Sequence, residues 1–264
     1  MNIQKGKNVT IKDNVIIGKN VILEDDVYID YGAIIKDNVH IKSNTFIGAN
    51  CIIGEYLYDF FENKENKNKN HLLVIGSNSI IRSQSIIYGE TVIGDNFQTG
   101  HRVTIREKNK IGDNVRIGTN SDIQHECKIG NYVSIHSNAF LGEETEIEDF
   151  VWIFPHVVIT NDSTPPSNIL SPVKIEKYAV VSARSTILPG VVIGEKSLVC
   201  GGALVSKDVP KGYAVAGIPA RVMKHTEEIL NKHTEESAYP WMYKFDRGMP
   251  LDLKNGIKII SIKL

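Results

Sequence analysis

"IGDNVRIGTNSDIQHECK", residues 111–128, holds three six-residue units in succession, each opening on isoleucine and each with a small or apolar residue in fifth place: Val115, Ser121 and Cys127. The second to fourth places of the first two units are turn formers such as Gly, Asp and Asn. A period of six is too long for a helix and is not the simple alternation of one strand. It fits a short strand followed by a tight corner, repeated so that three flat faces close an 18-residue coil of a parallel β-helix.

The period extends far on both sides. Aliphatic residues open every unit from Ile11 to Ile53, and again from Ile75 to Ile159, where only Thr99 replaces one; a third run goes from Ile175 to Val205. Some ten coils at strand spacing give a prism on the order of 45 to 50 Å long. Two stretches leave the register. Gly54 to Val74 separates Ile53 from Ile75 by 22 residues, and Asn161 to Lys174, with three prolines, separates Ile159 from Ile175 by 16. Both are expected to loop out at about 54–74 and 161–174, and loops on a rigid scaffold are where binding residues concentrate. The division expected is a β-helix domain over 1–222, then a short helix in "HTEEILNKHTEE" (225–236) and an extended tail to 264 whose "IKIISIKL" suits an edge strand or a cap.

The third unit of the opening stretch departs from turn chemistry, with His125 in third place. With 18 residues per coil, residues 18 apart stack, so His125 lies between Glu107 and Glu143, and Asn161 follows Glu143 at the mouth of the second loop. Beyond the loop the equivalent third places are expected to be Ala183 and Gly201, small residues that leave backbone amides and a groove accessible. A histidine beside a carboxylate, with an amide next to it, suits proton transfer and carbonyl recognition. Corner positions face solvent and carry polar residues by default; the alignment, the adjoining loop and the small residues after it set this group apart. His101 lies on a different corner, within reach of a neighbouring subunit's site.

Bulk properties narrow the partners. Thirty Lys and Arg against 31 Asp and Glu give a net charge of -1, so no global field draws the chain to nucleic acid or an acidic membrane, and a small-molecule partner is expected. The opening residues lack the apolar core of a signal peptide and no stretch nears the roughly 20 apolar residues of a spanning helix, so a cytoplasmic chain is expected. Cys51, Cys127 and Cys200 lack CxxC spacing and read as reduced thiols, the first two as small core residues. No pair of histidines stands five residues apart as a β-helical zinc site needs, so no metal is expected.

The repeat resembles that of the hexapeptide-repeat proteins, which implies a left-handed coil over about residues 5–220. "GGALVSKDVPKGYAVAGIPARVMK" (201–224) is similar to the terminal coil of the acyltransferases of that family. The resemblance implies acetyl-CoA as cosubstrate, held by backbone groups of Ala183 and Gly201 and by Lys207, Arg221 and Lys224 at its phosphates. "IIRSQSIIYGETVIGDNFQTGHRVTIRE" (80–107) is similar to a segment of acetyltransferases acting on nucleotide-linked sugars. That implies Arg82 and Arg106 at a diphosphate, and Gln98, Gly100 and His101 at the sugar or nucleotide. Tyr56, Tyr58, Phe60 and Phe61 of the first loop are candidates to stack on a base. With "DIQHE", "HSNAFLGEET" and "WIFPHVVITNDSTPP", the chain most resembles enzymes that N-acetylate dTDP-3-amino-3,6-dideoxyhexoses for bacterial surface glycans. This implies catalytic roles for His125, Glu143 and Asn161, and a homotrimer with sites between subunits. Transfer to a UDP-linked amino sugar, a 4-amino sugar or a sugar hydroxyl stays open, as does a non-catalytic β-helical binding or structural protein.

Overall fold

The computed structural model describes residues 3–60 and 71–243 and shows an all-β parallel solenoid. Its three faces are sheets of ten, twelve and ten strands, most of them two residues long. Face one begins with Ile3–Lys5, face two with Thr10–Ile11 and face three with Ile16–Ile17, and the chain visits them in that order on each coil. The winding is consistent with the left-handed coil that the resemblance implies.

The repeat has a backbone reason. The fourth residue of nearly every unit lies in the left-handed region: Asn96, Asn114, Asn120 and Asn138 all have φ near +60°. One such residue per unit turns the corner, and Asn tolerates this conformation at lower cost than most side chains. The first and fifth residues then point inward. Ile105, Ile117, Ile123, Val103 and Val115 are at most 1% exposed and stack in columns along the axis. Third-place carboxylates and amides fasten successive coils, as where Asp95, Asp113, Asn131 and Asp149 each accept the amide N–H of the coil before. Arg184, exposed at φ +61°, tests the corner rule. Arg184→Asn is expected to stabilise by about 1 kcal/mol and raise the melting temperature by about 2–4 °C in a thermal scan.

Both insertions leave the corner between faces three and one. Ile41 pairs with Ile75 across the first and Ile147 with Ile175 across the second, so each time the next strand lands back on the stack. One spacing inference fails here. Ile159 pairs with Ile187, 28 residues on, and Ile187 with Val205, so Pro189 and Lys207, not Ala183 and Gly201, continue the column of His125. Ala183 and Gly201 follow Val181 and Val199 of face two, on the corner between faces two and three, above Pro155. The extra ten residues of the second loop shift the count by one face and a part.

The expected helix over 225–236 is also corrected. Arg221–His225 is a strand, antiparallel to Tyr213–Ala216 at the end of face two, and only Thr226–Glu228 forms a single 3₁₀ turn. Thr226 is 2% exposed and its backbone N–H and hydroxyl both bond the Gly212 carbonyl. Docking onto the last coil therefore overrides the weak helical preference of a short polar segment. Farther on, Trp241 packs edge-on against Tyr178, and its ring N–H bonds the Tyr178 carbonyl. Phe61 and the stretch "IKIISIKL" lie outside the described residues.

Candidate active site

The corner between faces three and one builds the site coil by coil. Three consecutive strands of face three, Thr104–Ile105, Asp122–Ile123 and Phe140–Leu141, pair in register and present Glu107, His125 and Glu143 two residues beyond their ends. Asn161 stands in the same place after Val158–Ile159. Stacking thus produces the four-residue ladder that the spacing predicts.

Its chemistry is centred on Glu143. Oε1 lies 3.1 Å from His125 Nε2, while Oε2 accepts an N–H of the Asn161 side chain at 3.3 Å. The imidazole and carboxylate are 25% and 30% exposed, open enough for a ligand and sheltered enough to hold their geometry. Nε2 is the ring nitrogen that faces Glu143, and a tautomer protonated there would leave Nδ1 of His125 as a proton acceptor. Asn161 retains a second amide N–H. Its backbone is fixed by the loop, since its carbonyl accepts the Ser171 N–H at 2.7 Å and Asp162 caps Thr164 and Ser167.

Glu107 plays another part. It is 5% exposed and grips Arg106 with both oxygens, at 2.7 Å to Nη2 and 3.0 Å to Nε. Burial pushes its carboxyl up, but the Arg106 hydrogen bonds, its own backbone amide and the nearby Arg106 and His125 charges outweigh that and hold it below the usual carboxylate range. Glu107 thus anchors the Arg106 guanidinium as a carboxylate. Arg106 also reaches Gln124 at 3.3 Å, and its guanidinium lies 5.8 Å from the rings of both Tyr58 and Tyr88. Tyr58 of the first loop thereby reaches the lower end of the ladder, and Tyr56 packs on Phe60 with ring centroids 4.4 Å apart.

Three participants escaped the sequence reading. Gln124 bridges Arg106 to Asp122 with a 3.0 Å bond, and burial raises the Asp122 carboxyl despite the opposing influences of Gln124 and Arg106. Asn109 is fully buried: its side chain donates to the Arg106 carbonyl at 2.7 Å and accepts the Cys127 N–H at 2.8 Å, tying the Arg106 turn to the unit of His125. The signal for it was present, because it is the one amide at a fifth place otherwise held by apolar or small residues. Cys127 itself is a core thiol pushed up to about 12 by burial, and Cys51 likewise to about 11. Cys200 is only partly buried.

The remaining candidates do not converge on the ladder within one chain. Arg82, Gly100 and His101 lie at the corner between faces two and three, with Ala183 and Gly201, while Gln98 faces outward on face two. Gly100 has a steric reason there, since a Cβ would lie 2.3 Å from the Thr119 nitrogen. Arg82 and Arg106 thus border opposite edges of face three. Lys207 caps the His125 column, whereas Arg221 and Lys224 sit exposed on the last strand of face two, Lys224 bonding the Glu228 carbonyl. Among the described residues no three His, Cys, Asp or Glu side chains converge as a metal site, and no helix is long and apolar enough to cross a membrane.

Known proteins match parts of this chain. Residues 110–143 match the bacterial transferase hexapeptide (six repeats) family and residues 172–207 the hexapeptide repeat of succinyl-transferase. These segments carry the repeat of the hexapeptide transferases, and the first spans His125 and Glu143. A 2,3,4,5-tetrahydropyridine-2,6-dicarboxylate N-acetyltransferase of Staphylococcus aureus (strain JH9) is 44% identical over 71 residues, 27% of this chain and 29% of that protein. The chain thus spans under a third of the length of that curated relative. Among solved structures, the UDP-N-acetylglucosamine O-acyltransferase LpxA of Moraxella catarrhalis RH4 aligns at 21% identity over 86% of this chain and 74% of its own, with a TM-score of 0.35. A point mutant of AntD, an N-acyltransferase from Bacillus cereus, in complex with dTDP and coenzyme A, aligns at 24% identity over 48% of this chain and 82% of its own, with a TM-score of 0.28.

Proposed function

We propose that the chain is an acyltransferase that moves the acetyl group of acetyl-CoA onto the amine of a nucleotide-linked sugar, most simply the 3-amino group of a dTDP-3-amino-3,6-dideoxyhexose. The observation that carries this reading is Glu143 holding both His125 and Asn161 at the corner where both insertions emerge. Two matches to hexapeptide transferase repeats support acyl transfer, and a relative named as an N-acetyltransferase favours an amine acceptor.

The amine attacks the thioester carbonyl, and the C–S bond breaks as the tetrahedral intermediate collapses. His125 Nδ1 accepts the proton that the amine sheds and returns it to the departing thiolate. Glu143 orients the imidazole, and the free amide N–H of Asn161 faces the oxyanion, a contribution of about 10²- to 10³-fold where such a donor operates. No covalent enzyme intermediate is needed. A thiol-release assay with acetyl-CoA and a panel of nucleotide-linked 3-amino, 4-amino and hydroxy sugars tests the reading. Release with the 3-amino sugars is expected; release with none of the panel overturns it.

The two sets of site residues also bear on assembly. His125, Glu143 and Asn161 occupy one edge of face three while Ala183, Gly201 and His101 occupy the other, so a single ligand meets both sets when a neighbour's corner docks against the ladder. A homotrimer of 29.4 kDa chains is expected by light scattering, and a monomeric mass removes the shared site.

A further inference from the structure

Face two carries a groove away from the His125 ladder. Its outward residues on successive coils are Gln98, Arg116, Ser134, Trp152 and Val180. Around Arg116 the groove encloses about 310 Å³, and beside Trp152 it continues into a second hollow of about 250 Å³; His136 and Trp152 line both.

The two ends differ in chemistry. The upper end is walled by aromatic planes: Trp241 meets Trp152 edge-on at 6.0 Å and 76°, Phe154 lies 6.2 Å from Trp152, and His136 stacks on Phe154 at 4.7 Å. At the lower end Arg116 is exposed, and among the described residues its side chain makes no hydrogen bond or ion pair, unlike Arg106 with Glu107. No Asp or Glu lines either hollow, so the groove's full charge is positive. Two coils, about 10 Å, separate Arg116 from Trp152.

We propose that this groove binds a nucleoside phosphate, with its base against Trp152, Phe154 and Trp241 and its phosphate on Arg116. A flat heteroaromatic ring uses aromatic walls through stacking, and a guanidinium with no protein partner matches phosphate oxygens in a two-point contact. A cationic ligand lacks a carboxylate to meet, and a purely apolar one leaves Arg116 unused. The proposal stands on face two, and the acetyl-transfer reading supplies only two sources of such a group: the nucleotide sugar and the adenosine phosphate of coenzyme A.

The chain has two tryptophans, and both line this groove, so intrinsic emission reports on it directly. Titration of the full chain with dTDP, UDP, coenzyme A and adenosine 3′,5′-bisphosphate is expected to quench that emission saturably. Quenching by the first two assigns the nucleotide sugar, and by the last two the cofactor. Arg116→Gln, at an exposed position that leaves the core intact, is expected to weaken the effective ligand about tenfold. No saturable quenching at millimolar ligand, equal affinity in Arg116→Gln, or quenching that follows protein concentration alone, as a second copy filling the groove produces, each overturns the proposal. Thiol release without quenching removes the groove and leaves the ladder; quenching without thiol release does the reverse.

Discussion

His125→Ala is expected to lower turnover with acetyl-CoA and the amino sugar by about 10²- to 10⁴-fold, the range for loss of a positioned general base. The expectation follows from the contact at Nε2. Glu143 lies 3.1 Å from that nitrogen, so Nδ1 is the ring nitrogen left for the acceptor amine in the proposed mechanism. An uncharged amine is itself a good nucleophile, so a hydroxyl acceptor should lose more in this variant than an amine does. A loss below tenfold with the amine reduces His125 to a positioning residue. Glu143→Gln separates the two roles: it keeps a side chain of the same shape beside His125 and Asn161 but removes the charge that stabilises an imidazolium. A turnover loss in Glu143→Gln with a nearly unchanged KM marks an interaction realised in the transition state.

Asn109→Ala is the substitution from which the largest loss of stability is expected. It leaves the Cys127 N–H buried without a partner, at about 1–3 kcal/mol, while the Arg106 carbonyl keeps the Thr91 hydroxyl as a donor. A melting temperature lower by roughly 2 to 12 °C in calorimetry is expected. Asn109→Asp keeps the acceptor for Cys127 but loses the donor to Arg106, so it should fall between wild type and alanine. Equal melting of Asn109→Ala and wild type would falsify the tie between the two coils. Because Asn109 lies one coil below Cys127, the alanine variant should also loosen the unit that carries His125.

The fold was legible because its grammar is local. A left-handed residue every sixth place and an inward isoleucine three residues before it are properties of single units, and they repeat wherever "IGDN" or its equivalents occur. The ladder was legible from Glu107 to Asn161 because no insertion interrupts that stretch of spacing. Its continuation was not, since the length of the second loop reassigns every later residue to a face, and length alone does not reveal where a chain rejoins its stack. Ala183 and Gly201 were misplaced for that reason. Partner choice within the corner was also hidden: Arg106 turns to Glu107 next to it, and Glu143 reaches both ways, as rotamer and packing decide.

The shared exit corner of the two insertions has an evolutionary consequence. Solenoid stability is close to a sum over neighbouring coils, and a loop's closing entropy grows only as the logarithm of its length. Residues can therefore be gained or lost at these two exits with little effect on the coils above and below, provided the returning strand finds its column. The corner beside His125 is where this architecture tolerates sequence drift at least cost to folding, so new acceptor preferences can arise there while the barrel of isoleucines underneath stays the same.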